Sequence, residues 1–158
     1  MPRRYWLMKT EPETYSIDDL ARDGRTCWDG VRNYQARNYM RDAMNVGDLV
    51  LIYHSNAEPT GIAGLARVAG AAYPDHTALD PKSAYFDPKA TSGNPIWMMV
   101  DIEFVEKFVS PVTLERLRKE KSLSGMLVLQ RGQRLSVMPV EEKHFKLIRR
   151  LSAGGCRD

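Results

Sequence analysis

The chain has 158 residues, 43% hydrophobic and 27% charged, the balance of one soluble globular domain, and no apolar run approaches the length needed to span a bilayer. Lys and Arg number 23 against 20 Asp and Glu, a net charge of +3, which permits a polyanionic partner but excludes coating nucleic acid through bulk charge, so any such role needs a local site. Cys27 and Cys156 are too few for a disulfide framework, and MPRRYWLMKT has no small-residue cleavage site behind it, so a reduced, cytoplasmic protein with no membrane segment is expected.

RYWLMKT, residues 4–10, reads as a buried first strand that stops at Glu11-Pro12. Ser16 before IDDLARDG, with Asp19 three positions on and Gly24 at the end, marks a short helix. After the Gly30 turn, NYQARNYMRDAM predicts a helix with Ala36, Tyr39, Met40, Ala43 and Met44 on its apolar face. Tyr34, Arg37, Asn38 and Arg41 take the opposite face.

DLVLIYHS, residues 48–55, is a second buried strand whose end turns polar at His54-Ser55-Asn56, and function gathers at such ends. GIAGLARVAGAAY, residues 61–73, has the small residues of a tightly curving strand or of a backbone lying close to another. The four prolines of residues 74–95 suit an ordered long loop. PIWMMVDIEFVEKFV, residues 95–109, is the longest strand candidate, with Val100, Ile102 and Phe104 alternating. Ser110-Pro111 is expected to open a helix over VTLERLRKEK. SGMLVLQRGQRLSVMPV leads into a last strand, and EEKHFKLIRRL, residues 141–151, predicts a helix with Phe145, Ile148 and Leu151 on one face. About five strands at unequal spacing and four short helices, without regular βαβ alternation, give a single mixed or barrel-like α+β domain over residues 1–152 and a flexible tail over 153–158.

The three histidines and two distant cysteines lack metal-ligand spacing, and Gly61 with Gly64 makes no dinucleotide fingerprint, so no metal and no cofactor are expected. A Cys27 nucleophile with His54 as its base can be drawn, but a small buried residue beside Trp28 is the preferred reading of Cys27. Lys9 and Glu11 are either a proton-transfer pair or an ordinary ion pair.

Three chain segments carry polar groups beside aromatics: Lys9-Thr10-Glu11, Trp28 through Asn33, and Tyr53-His54-Ser55-Asn56. If they converge, they form a concave pocket able to hold one extruded base. A base stacked on an indole gains about 1–3 kcal/mol, while hydroxyl, amide and backbone groups read its edge. Arg32, Arg37 and Arg41, beside a helix start, suit the flanking phosphates. The plain alternative is a core tryptophan next to a solvated helix face. Trp6, Trp97 and Tyr39 are assigned to the core.

YWLMKTEP, WDGVRNYQARNYM, GDLVLIYHSN, DPKSAYFDPKAT and LSVMPV resemble, in order, the signature blocks of the EVE domain family, from about Tyr5 to Leu151. The resemblance implies a PUA-like pseudo-barrel of about five to six mixed strands with short flanking helices. It also implies kinship with YTH and SRA-type domains, and hence non-catalytic binding of a modified nucleobase in DNA or RNA. By that likeness Trp28 is the stacking wall, with Lys9, Thr10, Asn33, Tyr53, His54, Ser55 and Asn56 lining or bracing the site. Tyr34, Tyr53 or an aliphatic residue would form the second wall, and Arg131 to Ser136 is a further candidate to close it. Two alternatives stand beside this: an amide hydrolase acting on acylated bases through Lys9, Thr10 and Glu11, as in related ASCH proteins, and a protein-interaction module using Tyr34, Arg37 and Arg41.

Overall fold

β1 (Tyr5–Thr10) runs between β3 (Leu49–His54), to which it is parallel, and β7 (Val137–Val140), to which it is antiparallel. Its residues Trp6, Leu7 and Met8 are buried because a strand flanked on both sides and covered by helices has no wet face. The computed structural model describes residues 3–152, so the tail 153–158, with Cys156, lies outside the described residues.

The remaining elements are α1 (Ile17–Asp23), β2 (Arg25–Trp28), α2 (Tyr34–Asn38), β4 (Gly61–Val68), β5 (Tyr73–Pro74), β6 (Met98–Thr113), α3 (Leu114–Lys119) and α4 (Glu142–Ser152). The result is a mixed α+β fold around one sheet in the order β2-β6-β4-β3-β1-β7, with β5 pairing β6. No helix is long and apolar enough to cross a membrane among the described residues.

α1 forms as its sequence dictates. Ser16 Oγ accepts from the Asp19 amide at 3.1 Å while the Asp19 carboxylate accepts from the Ser16 amide at 2.9 Å, a reciprocal cap. The helix packs so closely on β4 that a Cβ at Gly64 would lie 2.6 Å from Ile17. The small residues of β4 are therefore there for close approach.

Two stretches depart from their sequence patterns. The helix expected through Met44 is regular only over α2, then widens into one π-helical turn, Tyr39–Ala43, with the Met44 amide bonded to the Tyr39 carbonyl at 3.0 Å. Ala36, Met40 and Met44 still reach the core. The exit of this turn is pinned by the buried Asp48 carboxylate, which accepts from the Asn45 amide at 2.9 Å and the Trp6 indole at 3.0 Å.

The helix expected from Ser110-Pro111 starts later, at Leu114, with Thr113 Oγ1 capping the Arg116 amide at 3.1 Å. β6 instead runs through the proline. Gly64 pairs with Lys107 and Ile62 with Val112, so Pro111 falls in an irregular stretch of the ladder where its missing N–H costs nothing.

The core lies between the sheet and its helices around Trp6, Met8, Ile52 and Ile102. Tyr39 is half-buried against Trp6, with ring centroids 5.6 Å apart. Trp97 is buried in a separate small cluster with Ala78 and Ala90, and this cluster orders the proline-rich loop.

Candidate nucleic-acid interface

The outer strands of the sheet, β2 and β7, come from distant parts of the chain, and the sheet curls so that β2 and the segment entering β7 face one cavity of about 540 Å³. That size falls within the roughly 300–1,000 Å³ of small-molecule sites. Lys9, Thr10 and Glu11 enter from the end of β1, and Thr14 and Tyr15 from the turn before α1. β2 contributes Thr26, Cys27 and Trp28, followed by Asp29, Gly30 and Val31. Ser55, Tyr85 and the segment Arg134–Ser136 complete the lining. The Lys9 amide donates to the Ser136 carbonyl at 2.8 Å, which fixes the last segment beside β1.

Trp28 is only 8% exposed and nevertheless lines this cavity, so it belongs to the core and to the wall at once. The other aromatic lining residues are Tyr15, edge-on to Trp28 at 6.4 Å, and Tyr85. Neither tyrosine expected as a second wall is there, whereas the aliphatic residues Val31 and Leu135 are. Tyr34 stacks on Trp97 at 4.8 Å on the outside of α2, and Tyr53 is buried in β3 beneath the Lys9 ammonium, 5.8 Å from its ring.

Of the residues expected at a base site, Trp28, Lys9, Thr10 and Ser55 line the cavity, whereas Asn33, Tyr53, His54 and Asn56 do not. Successive strand residues point to opposite faces, so the run Tyr53 to Asn56 cannot all face one pocket. Asn33 spends its side-chain oxygen capping α2 through the Ala36 amide at 3.0 Å. His54 Nε2 accepts from the Ile17 amide at 3.1 Å and so ties β3 to α1. Asn56 takes the left-handed conformation, φ +50°, at the turn that follows.

The three arginines expected at phosphates have internal partners. Arg32 donates to Asp75 at 3.0 Å and, through Nη2, to the Tyr85 carbonyl at 2.7 Å, tying the β2–α2 turn to the long loop. Arg37 donates to the Ile96 carbonyl at 2.9 Å and to Asn38 at 2.8 Å. Arg41 is paired with Asp42 at 2.8 Å. Arg32, expected at a phosphate, is thus engaged as a strut of the site's frame.

Burial works to raise the Asp75 pKa, yet hydrogen bonds from Thr77, the Gly30 amide and Arg32 outweigh it and hold the carboxyl below its ordinary range. Asp29 has no such set of donors: burial, and then the Asp75 charge, raise its pKa. Burial lowers the Lys9 pKa. The Cys27 thiol is pushed up by burial and by Asp29, so its thiolate is disfavoured, and with His54 engaged by Ile17 the drawn nucleophile–base pair does not form. Thr10 Oγ1 donates to the Tyr15 carbonyl at 2.8 Å, which commits its proton. Among the described residues no group of three or more His, Cys, Asp or Glu side chains could hold a metal ion.

Thr14, Tyr15, Thr26 and Tyr85 are lining residues that sequence reasoning left out of the site. Tyr85 lies inside the DPKSAYFDPKAT block that carried the family resemblance, which was a usable signal. Tyr15 gave none, since it sits in a turn between two elements that meet the cavity only in three dimensions.

The EVE domain matches residues 4–151. Thymocyte nuclear protein 1 of Homo sapiens is 41% identical over 162 aligned residues, spanning 91% of this chain and 72% of that protein. A Pseudomonas putida protein of known crystal structure is 51% identical, with a TM-score of 0.91 over 94% of this chain and 99% of that one. The human THYN1 protein, crystallised in complex with 5-methylcytosine-containing DNA, is 39% identical with a TM-score of 0.89, over 94% of this chain and 97% of that one. With the match running through every strand of the sheet and both edges of the cavity, the chain belongs to the EVE domain family.

Proposed function

We propose that the chain is a non-catalytic reader that takes one modified base of a nucleic acid, a 5-methylated cytosine of DNA in the first instance, into the cavity beside Trp28. The observation that carries this is a cavity whose aromatic lining of Trp28, Tyr15 and Tyr85 is combined with a few polar groups: Asp29, Lys9, Thr10 and Ser55. Such a lining stacks a planar ring and reads its edge. A half-buried carboxylate is a natural acceptor for the exocyclic amine of cytosine, and Val31 and Leu135 offer apolar contact to a methyl group. The family relationship to a protein crystallised with 5-methylcytosine-containing DNA supports the same reading. The base must leave the stack to reach a recessed pocket, at a cost of a few kcal/mol that stacking against the aromatic lining offsets.

Asn33, Tyr53 and His54 then brace the walls without touching the base. Lys9, Thr10 and Glu11 act as fixed contacts, and no hydrolysis is assigned to them. Tryptophan fluorescence titrations with short duplexes carrying cytosine or 5-methylcytosine at one position, and with matched RNAs, test the proposal. Saturable quenching with tighter binding to the methylated DNA is expected. Equal affinity for both duplexes would remove the methyl from the reading, and turnover of an acylated nucleoside would replace the reader with an enzyme.

A further inference from the structure

We infer that Arg131 and Arg134, on the turn between Gln130 and Leu135, hold the phosphate backbone at the mouth of the cavity, a task that the sequence pattern assigned to the arginines around α2. The inference rests on the reader function proposed above and deepens it.

Every extruded base brings a phosphate on each side, so a base pocket needs cations at its rim that are not already neutralised. Arg32 and Arg41 are already ion-paired, with Asp75 and Asp42, and the Arg37 guanidinium is tied down by the Ile96 carbonyl and the Asn38 side chain. The Gln130–Leu135 turn meets the requirement. Arg134 lines the cavity and is exposed, and Arg131, three residues before it, is exposed as well. No ion pair among the described residues includes either guanidinium, and residues 121–140 contain Lys121, Arg131 and Arg134 but no acidic residue.

The turn is held by its own neutral side chains. Gln130 Nε2 donates to the Ser124 carbonyl at 3.1 Å and the Met126 carbonyl at 3.2 Å, and Gln133 Oε1 accepts from the Leu135 amide at 3.0 Å. Gly132 supplies the left-handed residue, φ +75°, that reverses the chain between the two arginines. Leu135 is buried and the Ser136 carbonyl is bonded to Lys9, so the turn is anchored at the cavity itself. Two guanidinium groups unpaired among the described residues, on a braced turn and one of them in the cavity lining, are suited to two phosphate oxygens.

Anisotropy titrations of a short duplex bearing one 5-methylcytosine, repeated across a series of NaCl concentrations, test this. Each phosphate contact contributes about 0.9 to the slope of log affinity against log salt. Arg131→Gln and Arg134→Gln are each expected to make the slope shallower by about that amount, and the double variant by about twice it. The preference for methylated over plain cytosine stays, because phosphate contacts carry no base information. Both positions are exposed, and thermal unfolding should show the variants folded as the parent is. An Arg37→Gln, Arg41→Gln protein is expected to keep the parent slope. An unchanged slope in the Arg131, Arg134 double variant, with binding intact, overturns the inference and leaves the reader standing. Failure of the parent protein to bind any DNA or RNA at low salt overturns both.

Discussion

Tyr85 covers Gly30 so closely that a single carbon added at residue 30 would lie 2.7 Å from the tyrosine ring. Gly30 also holds φ +77°, a conformation that side chains rarely adopt, and its amide donates to Asp75 at 2.9 Å. Gly30→Ala is therefore expected to lower stability by about 1–3 kcal/mol and to push Tyr85 off the cavity rim. Gly24→Ala is the matched control: it has the same backbone strain, φ +76°, with nothing within 4 Å of the added carbon. Denaturant unfolding should fall for both variants, whereas ligand titration should weaken for Gly30→Ala alone.

The Arg32–Asp75 pair joins the turn after β2 to the long loop, with the Asp75 side chain fully buried. Removing one partner of a buried pair leaves the other charge uncompensated, so Asp75→Asn should cost about 3–5 kcal/mol by urea unfolding. The pH dependence follows from the sign of the shift. The folded pKa lies below the ordinary 3.8, so the stability Asp75 contributes is complete above that value and is lost as pH falls through the folded pKa. Asp75→Asn should remove this acid-side loss, leaving a flatter unfolding profile below pH 4.

Asp29 shifts the other way. Its folded pKa lies above 3.8, so it favours the folded state most when protonated, and that contribution is lost as pH rises through the folded pKa. Asp29→Asn should therefore gain stability relative to the parent on going from acid to neutral pH, measured by unfolding midpoints over that range. Asp29→Ala should weaken binding of a cytosine-bearing ligand through loss of the acceptor.

Because Trp28 is nearly buried, Trp28→Ala should cost about 3–5 kcal/mol of stability and confuse loss of fold with loss of binding. Trp28→Phe keeps a ring in the wall. It is expected to remain folded by circular dichroism and to weaken base binding fivefold or more in calorimetric titration, since stacking on the indole supplies about 1–3 kcal/mol.

What could be read from the residues alone was whatever is decided locally. The reciprocal cap of Ser16 with Asp19 and the Gly24 stop set α1 within eight positions, and they appear as expected. β2 was not visible as a strand, because its four residues are held by pairing to β6, more than seventy positions away, and only Trp28 among them is buried. Pro111 argued for a helix start, and only the irregular register against β4 shows why a strand can pass through it. At the candidate site, the aromatic and polar residues at strand ends include four that line the cavity, Trp28, Lys9, Thr10 and Ser55. The residues near α2 gave no sign of what engages Arg32 and Arg37, because the Asp75 carboxylate and the Ile96 carbonyl come from elsewhere in the fold.

The cavity lies where the two margins of the sheet come together, one carrying Trp28 and the other leading from Arg134 to Ser136. An occupant there would be a keystone, gripped at once by early and late portions of the chain, so that its binding opposes their separation. Ligand at one hundred times its dissociation constant would then add about 2.7 kcal/mol against complete unfolding, so melting temperature alone could rank candidate ligands.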